Sequence, residues 1–227
     1  MQKIMFNDKY GLTDAVLEGR KTQTRRVLNP TMLFKRLKTY EGWSKEDISA
    51  WKRSCKTRLY ESQGAELQQM LDYALSSSRY KVGETVAIAQ SYKDIHAEIL
   101  REIGDLELKK EFLQFKGYTN KMFVRAEKMP HSIRITNIRI ERLQDISNED
   151  CLKEGIYETK FLKAGIAPIR GCGPLGTINH HPLLGYGSFC LYMSVKEAYA
   201  ALIDRISGKG TWVSNPYVFV YDFELID

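Results

Sequence analysis

The stretch SIRITNIRIERL, residues 132–143, decides the fold because its apolar and polar residues alternate as in a half-buried β-strand. The alternation changes phase in the middle: Ile133 and Ile135 share one parity, whereas the two isoleucines after Asn137 have the other. A phase change within a continuous strand predicts a β-bulge near Asn137, and bulges accompany strong curvature. The stretch therefore predicts a long, bent strand in a curved sheet or barrel.

Further strand-like segments lie on both sides of this stretch. We expect them to share its sheet: the N-terminal strand at residues 3–6, then 83–91, 122–128 and the alternating run YVFVYDFELI at 217–226. Few helices separate these strands, and no regular strand–helix–strand alternation is present. The pattern indicates an α+β protein whose centre is a small, curved, mostly antiparallel β-barrel flanked by helices.

End signals predict three short helices between the strands. Each has a side chain suited to capping its start and a glycine suited to the left-handed conformation at its end. These signals are Thr13 with Gly19, Ser147 and Asp150 with Gly155, and Ser194 and Glu197 with Gly208. In the last helix Val195, Ala198, Tyr199 and Leu202 form one apolar face, which predicts packing against the core.

The positive charge is concentrated in the first quarter of the chain. The 227 residues carry a formal net charge of +6, but residues 1–60 hold 14 Lys and Arg against 6 Asp and Glu, a net of +8. The segment GRKTQTRR at 19–26 alone contains four of these cations. A charge distribution of this kind favours a polyanionic partner, nucleic acid before membrane, although a solubilising basic insertion has the same composition.

Several other functional classes are disfavoured. No apolar run reaches the length of a membrane span, and the N-terminus lacks the apolar core of a secretion signal, so we expect a cytoplasmic protein with reduced cysteines. The glycines of GCGPLG at 171–176 match a dinucleotide motif, but a proline interrupts the turn and no helix follows. The spacing of Cys172, His180, His181 and Cys190 fits no common zinc site. We therefore expect no metal and no cofactor.

The length suits one domain, spanning residues 1–227, with insertions. Three segments fit the strand pattern poorly and are predicted to be those insertions. Residues 28–78 are basic and helix-prone, residues 93–120 have a helical period, and residues 157–192 form a glycine-rich, loop-rich segment.

The quoted segments together resemble the ASCH domain family of the PUA-like superfamily. The matching pieces occur in family order: VLEGRKTQTRRV, RYKVGETVAIAQSY, KMPHSIRITNIRIERLQDISNEDCLKEGI and ISGKGTWVSNPYVFVYDFELI. The G-R-K-T-x-T segment is the most distinctive, and the three insertions are typical of longer bacterial and phage-encoded members. The resemblance implies a PUA-like barrel and the recognition of RNA or a nucleotide.

The resemblance also implies a candidate catalytic site. A branch of the family hydrolyses the acetyl amide of N4-acetylcytidine with a lysine, a threonine and a glutamate, which match Lys21, Thr24 and Glu154 here. The chemistry requires a desolvated lysine that removes the threonine proton, with cations nearby that depress its pKa. On a regular strand residues 21 and 24 would face opposite ways, so the triad needs a turn or bulge between them.

Four interpretations remain open at this stage. The leading one is a binding module in which the cleft beside Lys21 accepts an RNA base or a modified nucleoside. Its nucleic-acid contacts would come from Arg20, Arg25, Arg26, Lys35, Arg36 and the stacking surface of Trp212. The second is the amidohydrolase, and a third is a ribonuclease with Glu154 as the base. In the simplest, Lys21 and Glu154 form only an ion pair that closes the barrel.

Overall fold

A computed structural model describes residues 1–29, 44–96, 114, 116–161, 169–174, 179–181, 185–188, 192 and 194–226. Its centre is a five-stranded sheet that contains both parallel and antiparallel strand pairs. The strands are β1 (Gln2–Ile4), β2 (Gln23–Val27), β3 (Thr85–Ile88), β4 (Ser132–Arg142) and a last strand at Tyr217–Ile226. Four further strands form two separate hairpins: β5 (Ile156–Phe161) with β6 (Ile169–Pro174), and β7 (Asn179–His181) with β8 (Gly185–Ser188). The last strand is therefore β9.

The order of the strands in the central sheet is β1-β3-β4-β9-β2. Strand β1 runs parallel to β3, and every other neighbouring pair is antiparallel. The long pairing of β4 with β9 runs from Ser132 opposite Ile226 to Arg142 opposite Tyr217, and its register shifts between Ile135 and Asn137. The bulge and the α+β, mostly antiparallel architecture predicted from the sequence are thus confirmed.

The predicted closure into a barrel is not present. In the described part of the chain the sheet ends at β1 on one side and at β2 on the other, and no ladder joins them. A side chain spans the gap instead: Arg26 of β2 donates a hydrogen bond of 2.6 Å to the carbonyl of Met5, the residue after β1. The guanidinium also lies 6.0 Å from the centre of the Phe6 ring. The sheet is therefore open in the described part of the chain, and a side-chain contact, not a ladder, links β2 to the segment after β1.

Seven helices pack around the sheet within the described residues. They are α1 (Leu12–Leu17), α2 (Lys45–Glu61), α3 (Gly64–Ser76), α4 (Tyr92–Ile95), α5 (Asn148–Lys153), α6 (Val195–Ser207) and α7 (Thr211–Ser214). The caps by Ser147 and Ser194 are confirmed, since each side chain accepts a hydrogen bond from the backbone three residues later. The cap predicted at Thr13 is wrong: α1 begins at Leu12, and the Thr13 hydroxyl donates to Asp8 instead.

The strand predicted at residues 122–128 is also wrong. This segment forms two short 3₁₀ helices, Lys121–Phe123 and Ala126–Lys128. The backbone carbonyls of Lys121, Met122 and Val124 all accept hydrogen bonds from the Lys3 ammonium, at 2.7–3.0 Å. These contacts hold the segment in a turn conformation around the Lys3 ammonium, which the apolar residues of the segment do not reveal.

The three predicted insertions are described in part. Residues 44–78 are helical, as expected, and contribute α2 and α3. Residues 30–43 and 97–113 lie outside the described residues. In the glycine-rich segment, the described residues form the hairpins β5–β6 and β7–β8 rather than loop, so the loop prediction is wrong for them.

The main core lies between the central sheet and helices α1, α3 and α6. It includes Val16 of α1, Ile135 of β4, Tyr199 of α6 and Tyr221 of β9, all of which are buried. The apolar face predicted for α6 packs into this core, as its periodicity requires. Among the described residues, no helix combines the length and the apolar character that crossing a membrane would need.

Candidate functional site

Lys21 lies in the connection between α1 and β2, before the strand begins. Gly19, with φ of 71°, turns the chain at the end of α1, and the Lys21 amide then donates to the carbonyl of Ala15. Since β2 begins only at Gln23, the strand alternation that would separate the Lys21 and Thr24 side chains does not apply. Both residues are buried and both line one cleft.

Glu154 reaches the same place from the end of α5. It is the capping residue that follows Lys153 at the end of that helix, and Gly155, with φ of 95°, reverses the chain immediately afterwards. A side chain at position 155 would lie 3.3 Å from Leu12 and 3.6 Å from the Lys21 Cβ. The glycine therefore permits both the turn and the close approach of α5 to the segment that carries Lys21.

The Lys21 ammonium makes three hydrogen bonds in this buried site. It donates to the Glu154 carboxylate at 2.6 Å, to the Glu154 carbonyl at 2.8 Å and to the Gln23 carbonyl at 2.7 Å. Burial lowers the pKa of Lys21 below its ordinary value, an effect that the Glu154 carboxylate opposes and the two neighbouring arginines reinforce. The site thus combines a fully coordinated ammonium with an environment that favours loss of its proton.

Thr24, the third residue of the predicted triad, lies on β2. The residue is buried and lines the cleft together with Lys21 and Glu154. None of the side-chain hydrogen bonds within the described part of the chain involves the Thr24 hydroxyl. The three residues predicted as a catalytic triad therefore line one cleft.

Arg25 is not placed on the surface, where the binding hypothesis needs it. Its side chain is fully buried and pairs with Glu141 at 2.6 Å, Asp150 at 3.2 Å and Glu154 at 3.2 Å. Burial alone lowers the pKa of Arg25, but Glu154 and the other carboxylates raise it above its ordinary value, so the guanidinium stays charged. Arg25 thus holds the Glu154 carboxylate in place. Its guanidinium makes five hydrogen bonds within the protein, so no N–H group is left to bind a phosphate.

Sequence reasoning missed the acidic network around Arg25. Arg139 of β4 joins it by ion pairs with Glu141, Asp150 and Asp222 at 2.6–3.1 Å. The Gln23 amide, which also accepts from Arg25, donates to Asp222. These carboxylates come from β4, α5 and β9, so no local motif links them, and only the tertiary fold shows that they neutralise the cations of the 19–26 segment.

The cleft beside Lys21 has a volume of about 830 Å³. It lies between β2, the segment after β1 and the helices α2, α6 and α7. Six Lys and Arg residues line it against two carboxylates; the cations are Lys9, Lys21, Arg25, Arg26, Lys56 and Lys121. Its floor consists of buried residues, whereas Lys9 and Lys56 are exposed at its rim. A volume of this size lies within the range of small-molecule and cofactor sites.

Three of the six cations have no carboxylate partner. Lys21 and Arg25 pair with Glu154, and Lys121 pairs with Asp8 at 2.6 Å. In the part of the chain that the structure describes, no ion pair involves the other three, which are Lys9, Arg26 and Lys56. The rim of the cleft therefore carries positive charge that the protein itself does not neutralise.

The remaining predicted binding residues lie elsewhere or outside the described residues. Arg20 pairs with Glu18 at 2.6 Å and does not line the cleft. The ring of Trp212 packs edge-on against Tyr199, with centroids 6.2 Å apart, and forms part of the core boundary. Lys35 and Arg36 fall within residues 30–43, outside the described part of the chain.

Several cleft residues, including Lys9 and Lys121, were not identified from the sequence as site residues. Lys56 and Tyr60 lie one turn apart on α2, a spacing that places them on one face of the helix, and both line the cleft. The predicted basic insertion thus contributes a wall of the site. Tyr199 also lines it, although its position on the apolar face of α6 indicated only a core role.

Within the described residues, no group of three or more His, Cys, Asp or Glu side chains could hold a metal ion. Cys55 and Cys151 are both buried. The side chains of Cys172, His180, His181 and Cys190 fall outside the described part of the chain.

Comparison of the chain with models of known protein families, with curated proteins and with solved structures found no match in any of the three.

Proposed function

We propose that this protein is an ASCH-type, PUA-like module that binds a nucleotide, or one base of an RNA, in the cleft beside Lys21. The observation that carries the proposal is the charge of the cleft. Lys9, Arg26 and Lys56 lack carboxylate partners there, while the buried cations of the floor are neutralised by the protein itself. Unpaired cations around a concave site favour an anionic ligand.

The arrangement of the cleft separates two kinds of contact. The exposed cations at the rim suit phosphate oxygens, which Lys and Arg bind from solvent-accessible positions. The buried floor offers the Thr24 hydroxyl and apolar side chains such as Leu202, which suit the edge and face of a base. A nucleotide carries both features, whereas a free inorganic anion would leave the floor unused.

Equilibrium binding at several salt concentrations tests this proposal. We expect short single-stranded RNA or a ribonucleoside 5′-monophosphate to bind, with an affinity that falls steeply as salt is raised, because phosphate contacts release counterions. Absence of binding by any of these molecules at low salt would overturn the proposal and leave the basic rim as a solvated surface.

A second candidate function is hydrolysis of the acyl amide of an acylated cytidine. It is favoured by the convergence of Lys21, Thr24 and Glu154 in one cleft, and by the burial that lowers the pKa of Lys21. In such a reaction the neutral Lys21 amine accepts the Thr24 proton while the threonine oxygen attacks the acyl carbonyl. The cytidine amine then leaves with a proton from Lys21, and water hydrolyses the threonine ester, which releases the acid.

Binding remains the first candidate because the resting state of Lys21 is an ammonium with three acceptors. Catalysis requires this group to lose a proton and one hydrogen bond before each turnover, whereas binding requires only the observed arrangement. Incubation of the protein with N4-acetylcytidine, followed by measurement of released acetate, distinguishes the two functions.

A further inference from the structure

Asp8 carries an accessible hydrogen-bond acceptor at the edge of the cleft. Asp8 and Glu154 are the two described carboxylates that line the cleft. Both oxygens of Glu154 already accept hydrogen bonds, one from Lys21 and the other from Arg25. The Asp8 side chain is 57% exposed, and in the described part of the chain every hydrogen bond to its carboxylate is accepted by Oδ1. Oδ2 is therefore the carboxylate oxygen of the cleft that a ligand can use.

The position of this carboxylate is fixed through its other oxygen. Oδ1 accepts hydrogen bonds from the Lys121 ammonium, at 2.6 Å, and from the Thr13 hydroxyl. The backbone is held as well, since Asp8 begins a short 3₁₀ helix and its carbonyl accepts from the Gly11 amide at 2.9 Å. A fixed acceptor loses little conformational freedom when a ligand binds to it, which favours a role in recognition.

The chemistry of a carboxylate restricts what Oδ2 can bind. An aspartate carboxylate accepts hydrogen bonds and donates none, and its charge repels a phosphate, so a neutral donor suits it. The next residue, Lys9, is exposed at the rim, whereas Lys121, which binds Oδ1, is buried. Asp8 thus lies between a rim suited to phosphate and the buried floor. In a nucleotide the ribose lies between the phosphate and the base, and its hydroxyls are neutral donors.

We propose that Oδ2 of Asp8 accepts a hydrogen bond from a ribose hydroxyl of the bound nucleotide, so that the cleft selects ribonucleotides over nucleotides whose sugar lacks its hydroxyls. This inference rests on the proposed binding function and specifies the sugar of the ligand. A hydrogen bond to a charged acceptor is stronger than one between neutral groups, and a sugar without hydroxyls would leave the carboxylate without its partner.

The test measures a preference between two sugars. Affinities of the wild type and of Asp8→Asn are determined by calorimetry for the four ribonucleoside 5′-monophosphates and for their 2′,3′-dideoxy counterparts. We expect the wild type to bind the tightest ribonucleotide tenfold or more tightly than its dideoxy counterpart. In Asp8→Asn one oxygen can still accept from Lys121 and Thr13, but a neutral amide nitrogen replaces the other. We therefore expect the preference to fall at least fivefold.

Asp14→Asn is the matched control, because Asp14 is exposed on α1 and does not line the cleft. It removes the same charge from a nearby position and should leave the preference unchanged. A general effect of charge on phosphate binding, or a partial loss of structure, alters the affinities for both sugars together. The ratio of the two affinities therefore separates contact with a hydroxyl from a structural role of Asp8.

Two results would overturn the inference alone: equal affinities of the wild type for ribonucleotides and dideoxynucleotides, or an undiminished preference in Asp8→Asn. The first result requires only the wild type, so it decides the question even if the variant does not fold. Failure of the wild type to bind any of these nucleotides would overturn the proposed function and this inference with it.

Discussion

The Lys21 ammonium lies 2.6 Å from the carboxylate of Glu154, a residue 133 positions later in the chain, and both side chains are buried. Removing one partner of a buried pair leaves an uncompensated charge, which is more costly than removing both. Whatever ligand the cleft accepts, this pair joins α5 to the segment that precedes β2.

Separate and combined replacement of the pair measures its contribution to stability. We expect Lys21→Met and Glu154→Gln each to lower the free energy of unfolding by about 3 kcal/mol or more, and the double variant to lose less than the sum. Chemical denaturation gives the three values. As a control, Glu18→Gln removes the exposed partner of Arg20 and should cost less than about 1 kcal/mol. Additive losses from the two buried replacements would show that the pair is not coupled.

Ionisation of the Asp150 carboxyl makes the free energy of unfolding depend on pH. Burial alone raises the pKa of Asp150, but Arg25 and Arg139 lower it below its ordinary value of 3.8. A carboxyl with a lowered pKa stabilises the fold above its unfolded pKa, and this contribution is lost as the pH falls through the folded pKa. Asp150→Asn should therefore have a lower free energy of unfolding than the wild type at neutral pH. This difference in unfolding free energy should become smaller as the pH falls below 3.8. A difference that stays constant from pH 6 to pH 2.5 would contradict this.

Replacement of cations at the rim should change the salt dependence of binding. We expect Lys56→Ala and Arg26→Ala each to reduce the slope of log affinity against log salt by about 1, because each removes one phosphate contact. Lys56→Ala is the cleaner variant, since Arg26 also holds the Met5 carbonyl. Arg134→Ala serves as the control, because this exposed arginine pairs with Glu224 and does not line the cleft. If the salt dependence of binding were the same in all three variants, the phosphates would bind outside this cleft.

The Thr24 hydroxyl separates catalysis from binding. If the protein hydrolyses N4-acetylcytidine, Thr24→Ala should abolish acetate release and leave nucleoside affinity nearly unchanged, because the lost oxygen acts mainly in the transition state. Thr24→Ser keeps the hydroxyl and should retain activity. Lys21→Arg should also be inactive, since a guanidinium does not give up its proton near neutral pH. Acetate release by Thr24→Ala at the wild-type rate would exclude this threonine as the nucleophile.

Gly155 provides a test of the local geometry that brings Glu154 to Lys21. In Gly155→Ala an alanine must adopt a positive φ, and its side chain lies close to Leu12. We therefore expect the loss of unfolding free energy to exceed the about 1–2 kcal/mol of the backbone strain alone. Gly19→Ala isolates that strain, because φ is also positive there and nothing lies within 4 Å of an added side chain. Equal losses of unfolding free energy would mean that Leu12 and its neighbours adjust without cost.

Features carried by local patterns were predictable from the sequence. The phase change around Asn137 located the bulge because strand alternation depends only on neighbouring residues. The glycines at 19 and 155 marked helix ends because few other residues adopt a positive φ. Lys21 and Glu154 were proposed from the family resemblance and not from a local pattern, and the fold brings them into contact.

Features that depend on distant partners were not predictable in the same way. Arg25 looked like a surface cation because the carboxylates that pair with it come from β4 and from α5 with its capping residue, more than 100 positions later in the chain. A strand was predicted at residues 122–128, but this segment forms 3₁₀ turns in which carbonyls accept hydrogen bonds from the distant Lys3 ammonium. Closure of the barrel requires a pairing between β1 and β2, which lie at opposite edges of the sheet, and no local pattern in either strand specifies whether they pair.

The position of β9 in the sheet has a consequence for the order of folding during synthesis. In the described residues β2 pairs only with β9, and Thr24 lies opposite Tyr221 in that ladder. The strand that carries Thr24 and Arg25 therefore leaves the ribosome long before its hydrogen-bonding partner exists. Pairings of such long sequence separation form slowly, since the entropy of closing the intervening chain is lost before any contact is gained. The candidate site is thus assembled late, after the elements that surround it have been made.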